Sequence, residues 1–252
     1  MPATPDIRIT RDSREWAHDT ATLIHRISEQ AIASQGRFLI ALSGGSTPKI
    51  LYQTLTSPEW KERFNWRQFL FLFGDERCTP PEHPESNFGM AQAALFQPLD
   101  IAPGQIYRMK GEIPDHELAA REYEDMLRSI THCAAPAVPQ IDLILLGLGN
   151  DGHTASLFPG TSALQDRTRV VTVGQAPTGI PFRLTLTLGV LNRATVVLFL
   201  VTGAGKAPMV RAILEPKNAA DRAFPAALVA PDPGQLIWML DHSAAAQLTS
   251  RR

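Results

Sequence analysis

Four short segments of this chain are apolar almost throughout and lack the alternation of a strand with one face in water. They are residues 38–42, 69–73, 141–146 (apolar except for Asp142) and 195–201. Such runs are typical of strands buried on both faces, which occur in parallel sheets covered by helices. Helical patterns lie between or beside them, at 13–34, 47–56, 114–131 and 203–214. The sequence therefore predicts a mainly parallel α/β sheet with helices on both faces.

Weaker patterns complete this prediction. Residues 6–10, 170–173, 184–188 and 236–240 are strand-like, and 184–188 alternates, so it is expected nearer a sheet edge. Residues with capping chemistry predict the helix ends: Ser13 and Thr47 (with Pro48 next) as starts, Ser86 or Asn87 as another start, and Gly36 as a stop. A chain of 252 residues without repeats or a low-complexity linker suits one domain over 1–252.

Charge and cysteine content exclude several classes of protein. Lys plus Arg number 24 against 25 acids, so no overall field favours nucleic acid or membrane, and an anionic ligand has to be held locally. Two cysteines, Cys78 and Cys133, are too few for a disulfide scaffold or a structural zinc site. We expect free thiols and, since residues 1–11 lack an apolar leader core, a cytoplasmic protein. A small molecule is the expected partner, and a monomer and a small homo-oligomer both remain open.

Polar, glycine-rich segments follow the predicted strands, at the sheet edge where open α/β sheets bind ligands. The first is Ser43-Gly44-Gly45-Ser46-Thr47-Pro48. Its glycines allow close backbone approach, and the helix after it presents free N–H groups, which together suit a phosphate. It is not a Walker A loop, because the Gly-Lys-Ser/Thr ending is missing. A plain strand-to-helix turn stays open as the alternative.

The segment Gly74-Asp75-Glu76-Arg77 follows the strand at 69–73. Three charges there would be costly if they were buried unpaired. They form either a solvated loop or an Asp/Arg pair that shapes a cleft. Taken alone, the segment is interpreted as structural and without a role in function, because most charge pairs have no catalytic role.

A third segment, GLGNDGHTASLFPG at 147–160, contains a literal G-x-G-x-x-G. Dinucleotide binding needs a long helix after that motif and an acid at the end of the next strand, but Pro159 ends any helix early and Asp166 precedes the next strand. What remains is a tight loop that presents Asp151 and His153. An imidazole beside a carboxylate is suited to general-base work near neutral pH, although an isolated D-x-H favours a capping Asp and a packed His.

Other candidate ligands are scattered. Arg183 opens a strand and Lys206 begins a helix, and each taken singly is a surface charge. The remaining histidines show no metal-ligand spacing, and no G-x-S-x-G nucleophile elbow is present. We therefore expect neither a metal nor an organic cofactor.

Taken together, these segments resemble the 6-phosphogluconolactonase family. The matching stretches are SGGSTP at 43–48, GDER at 74–77, ESN at 85–87, GLGNDGHTASLFPG at 147–160, the strand after Arg183, and the Gly-x-Gly-Lys of 203–206. The resemblance implies a doubly wound, Rossmann-like α/β fold related to sugar-phosphate isomerases and deaminases. It also implies cofactor-free hydrolysis of 6-phosphogluconolactone in the oxidative pentose phosphate pathway.

The resemblance assigns roles to particular residues. It implies that Arg77, Asp151 and His153 are catalytic, with His153 activating water and Asp151 orienting either the base or the substrate. The residues it implies for substrate and phosphate binding are Ser43, Gly44, Gly45, Ser46, Thr47, Asp75, Arg183 and Lys206.

Two alternatives remain. One is a glucosamine-6-phosphate deaminase/isomerase-type enzyme, in which the resemblance would lead one to expect a Glu supporting the histidine. Leu157 and Phe158 stand there instead, and Arg77 stands where deaminases tend to carry an aromatic residue. The other is a non-catalytic sugar-phosphate sensor, which would have no reason to keep His153 beside Asp151.

Overall fold

The computed structural model describes residues 4–249. The strands within that range are β1 (Asp6–Thr10), β2 (Phe38–Leu42), β3 (Phe69–Phe73), β4 (Asp75–Arg77), β5 (Leu143–Leu146), β6 (Val171–Gln175), β7 (Phe182–Leu186), β8 (Val196–Val201) and β9 (Gln235–Asp241). The helices are α1 (Ser13–Gln35), α2 (Ser46–Leu55), α3 (Pro58–Lys61), α4 (Asn87–Ala91), α5 (Gln97–Leu99), α6 (His116–Thr131), α7 (Ser162–Gln165), α8 (Leu188–Leu191) and α9 (Ala207–Leu214). A π-helical turn, Gln92–Phe96, joins α4 to α5, and a 3₁₀ turn, Ala204–Lys206, leads into α9.

Six strands form one parallel sheet in the order β1-β9-β8-β5-β2-β3. Every residue of β2, β5 and β8 is buried, which requires cover on both faces of the sheet. Helix α1 contributes to this cover: its fully buried Trp16 donates from Nε1 to the Met239 carbonyl of β9, at 2.9 Å. The doubly wound, mainly parallel α/β prediction is confirmed.

The second sheet is small and antiparallel, with the order β4-β7-β6. It begins at Gly74, whose N–H donates to the Leu42 carbonyl of β2 at 2.9 Å, while its own carbonyl accepts from Leu186 N at 2.9 Å. The chain thus leaves the parallel sheet at Gly74 and enters the antiparallel one. The prediction that 184–188 lies near an edge is wrong, because β7 is the middle strand of this second sheet. Residues 75–77 form strand β4 instead of a solvated loop.

The helix starts differ from two of the predictions. Asp12, not Ser13, caps α1, because its carboxylate accepts from Arg14 N and Glu15 N at 2.9 Å each. Helix α2 begins at Ser46, and its N-cap is Gly45, which has a φ of 100° and provides no side-chain hydrogen bond. Thr47 is therefore not the cap. Gly36 ends α1 in the left-handed conformation and Ser86 caps α4, as predicted. None of the helices within 4–249 is long and apolar enough to cross a membrane.

Candidate active site

A cleft of about 180 Å³ lies where the chain leaves the carboxyl ends of β2, β3 and β5. Its lining comes from three segments and one helix start: Ser43, Gly44, Gly45, Asp75, Arg77, Asn87, Gly147, Leu148, Gly149, His153 and Ala155. Segments predicted separately from the sequence are therefore brought together, because the carboxyl ends of neighbouring parallel strands meet at one edge of the sheet.

The loop after β2 is held rigidly. Ser43 is bound at both ends of its backbone by one side chain: its N–H donates to the Tyr52 hydroxyl at 3.1 Å, and that hydroxyl donates to the Ser43 carbonyl at 2.8 Å. Burial raises the pKa of Tyr52, which keeps the phenol protonated and able to donate. Gly44 lies flush against Asn87, since a Cβ on Gly44 would come within 1.8 Å of Asn87 Oδ1. Only glycine fits at that position.

The loop ends in a helix start that is open to a ligand. Because Gly45 provides no side-chain cap, the N–H groups of the first turn of α2 have no side-chain acceptor there. Ser46 and Thr47 lie in this turn but are not part of the cleft lining. Thr47 Oγ1 instead contacts Thr202 Oγ1 at 2.9 Å, which ties α2 to the segment after β8. An uncapped helix start at the mouth of a cleft suits an anion.

Two arginines face each other across the small sheet. Arg77 of β4 is the register partner of Arg183 of β7, and like charges directly opposite in a sheet are destabilising. Arg183 is only 7% exposed, and within residues 4–249 its Nε and Nη1 atoms have no hydrogen-bond partner. Burial, and then the charge of Arg77, lower the pKa of Arg183. Arg77 donates from Nη1 to the Glu85 carbonyl. An anion beside this pair would relieve both the repulsion and the unsatisfied donors.

Lys206 contacts the loop after β5. Its Nζ donates to Asn150 Oδ1 at 2.7 Å, and burial lowers its pKa while the charge of Asp151 opposes that shift. Among the described residues, neither Arg183 nor Lys206 makes a hydrogen bond or ion pair with residues 43–47.

The loop after β5 presents the imidazole. His153 Nδ1 lies 2.6 Å from Asp151 Oδ1, and the His153 N–H also donates to that oxygen, at 3.2 Å. The ring packs on Phe158, with centroids 4.4 Å apart. A Cβ on Gly149 would lie 2.1 Å from His153 Nδ1, so a glycine is needed for the ring to occupy this place. Partial burial acts to raise the pKa of Asp151, but the hydrogen bonds and charge of His153 outweigh it and leave that pKa below the ordinary value.

The two acids of β4 have different surroundings. Glu76 is 2% exposed and accepts from Asn87 N and Phe88 N, both at 2.7 Å, at the start of α4. Burial raises the pKa of Glu76 despite these bonds. Asp75 lines the cleft and accepts from Ser156 Oγ at 2.6 Å. Glu76 therefore organises α4, whereas Asp75 belongs to the cleft.

Sequence reasoning missed three residues of this site. From the sequence, Asn87 is a candidate helix cap and part of the ESN stretch at 85–87, and Asn150 and Ser156 are only parts of the stretch at 147–160, with no role of their own. One feature could have drawn attention to Ser156: it is a polar residue directly before two apolar residues that the fold buries. Within residues 4–249, no group of three or more His, Cys, Asp or Glu side chains is arranged to hold a metal ion.

Comparison with known proteins gives consistent relatives. The family described as glucosamine-6-phosphate isomerases/6-phosphogluconolactonase matches residues 11–238. The 6-phosphogluconolactonase of Nostoc sp. is 41% identical over 221 residues, covering 88% of this chain and 89% of the relative. The human 6-phosphogluconolactonase is 37% identical over 253 residues, covering 98% and 95%. The structure of 6-phosphogluconolactonase from Trypanosoma brucei superposes with a TM-score of 0.86 at 30% identity, over 97% of this chain and 99% of that one.

Proposed function

The chain belongs to the glucosamine-6-phosphate isomerase/6-phosphogluconolactonase family, and from this membership and the cleft we propose that it hydrolyses 6-phospho-D-glucono-1,5-lactone to 6-phosphogluconate, with His153 as general base. It is an enzyme of the oxidative pentose phosphate pathway, a hydrolase that acts on a sugar-phosphate lactone. Its partner is the small-molecule substrate, and we place it in the cytoplasm.

One observation carries the proposed base. Asp151 accepts a hydrogen bond at His153 Nδ1, and this bond sets the tautomer in which Nδ1 carries the proton and Nε2 has a lone pair. Nε2 has no partner among the described residues, and the ring lines the cleft. A water molecule held at Nε2 would therefore lose its proton to His153 as it attacks the lactone carbonyl.

The remaining steps follow from the same geometry. Attack places negative charge on the carbonyl oxygen, and Arg77 is the cation in the cleft lining that is suited to contact it. The tetrahedral intermediate then collapses with cleavage of the bond between C1 and the ring oxygen. The imidazolium returns its proton to that leaving oxygen, which becomes the 5-hydroxyl of the product. Water supplies the nucleophile, so the reaction requires no organic cofactor.

The phosphate anchors the other end of the substrate. We assign it to Ser43, Gly44, Gly45, Ser46 and Thr47 with Arg183 and Lys206. The uncapped start of α2 and the unsatisfied buried guanidinium of Arg183 support this assignment. Holding the remote phosphate fixes the lactone ring relative to His153, and this lowers the entropic part of the barrier.

The deaminase-type alternative is disfavoured by two side chains. Leu157 is fully buried in the core, and Phe158 packs against the His153 ring, so neither supplies a carboxylate to that histidine. The sensor alternative does not account for the Asp151–His153 contact beside the cleft.

A direct assay tests the proposal. Freshly prepared 6-phosphogluconolactone is followed in a pH-stat, and the spontaneous opening of the lactone is subtracted with a blank that contains no enzyme. We expect rapid acid release with the wild type, and a rate near the blank with His153→Ala. Ammonia release from glucosamine 6-phosphate is measured in parallel. Deaminase activity without lactonase activity would overturn the proposal.

A further inference from the structure

The loop that carries His153 is fastened to both sheets by hydroxyl groups. Thr154 Oγ1 donates to the Gly147 carbonyl, just after β5 of the parallel sheet, at 2.8 Å. Ser156 Oγ donates to Asp75 Oδ2 on β4 at 2.6 Å, and Ser156 N donates to Thr185 Oγ1 on β7 at 3.2 Å. The segment between the two hydroxyls therefore spans from one sheet to the other.

The backbone of Ala155, the residue between Thr154 and Ser156, is strained. Ala155 has a φ of 47°, a left-handed conformation that is uncommon for a residue with a Cβ. Its neighbours Thr154 and Ser156 are 1% and 2% exposed, whereas Ala155 itself lines the cleft. Such a conformation persists only where the surroundings hold it. Here the Leu157 N–H donates to the Thr154 carbonyl at 3.0 Å, which closes a turn around Ala155, and the hydroxyls of Thr154 and Ser156 hold the residues on either side of it.

Asp75 gathers the other walls of the cleft at the same point. Asn87 Nδ2 donates to the Asp75 carbonyl at 2.9 Å and is 3.3 Å from Asp75 Oδ1. The other end of the Asn87 amide lies against Gly44. Asp75 thus connects the strand that carries Arg77 directly to the loop that carries His153, and through Asn87 it also reaches Gly44 in the loop after β2.

We propose that Ser156 is a positioning residue, which acts through its hydrogen bond to Asp75 to set the distance between His153 and the two facing arginines, Arg77 and Arg183. The proposal rests on the lactonase function given above. When cations hold the phosphate of the substrate, the lactone carbonyl lies at a fixed distance from the phosphate site. A shift of the loop that carries His153 therefore changes the geometry of attack more than it changes the affinity for substrate. The loss is expected in kcat.

The test removes a single oxygen atom. In Ser156→Ala the hydrogen bond to Asp75 is lost, and we expect kcat to fall about 10-fold to 100-fold while KM stays within about threefold. Ser156→Thr, which keeps the hydroxyl, is expected to retain most of the activity. Ser28→Ala is the matched control, because Ser28 is also a buried serine (1% exposed) whose hydroxyl donates to a carbonyl, that of His25, on α1. Circular dichroism and thermal unfolding establish that each variant is folded.

A second readout does not depend on turnover. The ¹⁵N resonances of the His153 ring, followed by NMR without substrate, are expected to shift in Ser156→Ala and to stay unchanged in Ser28→Ala. Unchanged resonances, or a wild-type kcat in a folded Ser156→Ala protein, would overturn the positioning role while leaving the lactonase function standing. An equal loss in Ser28→Ala would attribute the effect to general destabilisation and overturn it as well. Absence of lactonase activity in the wild type would overturn the proposed function itself.

Discussion

Arg183 is a buried cation that faces another cation, and its replacement should separate function from stability. In Arg183→Met the long side chain is kept and the charge is removed. In the free protein this change removes an unfavourable like-charge contact with Arg77. It also removes two buried guanidinium nitrogens, Nε and Nη1, that have no hydrogen-bond partner within residues 4–249. The like-charge contact and the unpartnered nitrogens both cost stability in the free protein, whereas the attraction of Asp75 and Glu85 for Arg183 offsets part of that cost. We therefore expect the free energy of unfolding of Arg183→Met to stay the same or to rise by about 1 kcal/mol.

Substrate binding should move the opposite way. A charge-assisted hydrogen bond contributes about 1.5–3 kcal/mol, and every 1.4 kcal/mol is tenfold, so KM should rise by about 10-fold to 150-fold. The phosphate is remote from the scissile bond and its contacts hold substrate and transition state alike, so kcat should change little.

Steady-state kinetics with 6-phosphogluconolactone and thermal unfolding without ligand measure the two effects. Inorganic phosphate provides a third measurement: it should raise the Tm of the wild type more than that of Arg183→Met, because a ligand stabilises the state that binds it. Arg193→Met is the control, since Arg193 is exposed and lies outside the cleft lining. An Arg183→Met protein with a wild-type KM and a lowered Tm would refute the reasoning and make Arg183 a structural residue.

Three further predictions concern the base and the absence of a cofactor. His153→Ala should lower kcat by about 10²–10⁴ with a much smaller change in KM. His153→Asn should lower kcat nearly as much, and Asp151→Asn should have an intermediate effect. A folded His153→Ala protein with more than about a third of the wild-type kcat would remove His153 from the mechanism. Gly149→Ala should displace the His153 ring, because the new Cβ would lie 2.1 Å from His153 Nδ1. We expect kcat to fall by at least about tenfold while the protein stays folded. A wild-type kcat would show that the position of the ring does not limit the rate. Dialysis against EDTA should leave activity intact, and activity that is lost and then restored by zinc or magnesium would contradict the expectation of a metal-free reaction.

Structural elements with a local cause could be predicted from the residues alone. Strands β2 and β3 have the bounds predicted from their apolar runs, because five consecutive apolar residues need cover on both faces whatever surrounds them. Gly36 ends α1 because only a residue without a Cβ adopts the left-handed conformation freely. The Asp151–His153 contact could also be predicted, because a single residue, Gly152, separates its two members in a tight loop.

How these segments act together depends on contacts between distant parts of the chain. Strand β4 is three residues long and charged, and nothing in its own pattern distinguishes it from a loop; it becomes a strand because β7 supplies its hydrogen-bond partners. The same pairing sets Arg77 opposite Arg183, which no spacing along the chain predicts. Ser156 and Asp75 lie 81 residues apart, and their hydrogen bond exists because the loop after β5 crosses from one sheet to the other. Local patterns record which side chains must be buried, whereas the partner that each buried polar group finds depends on the whole chain having folded.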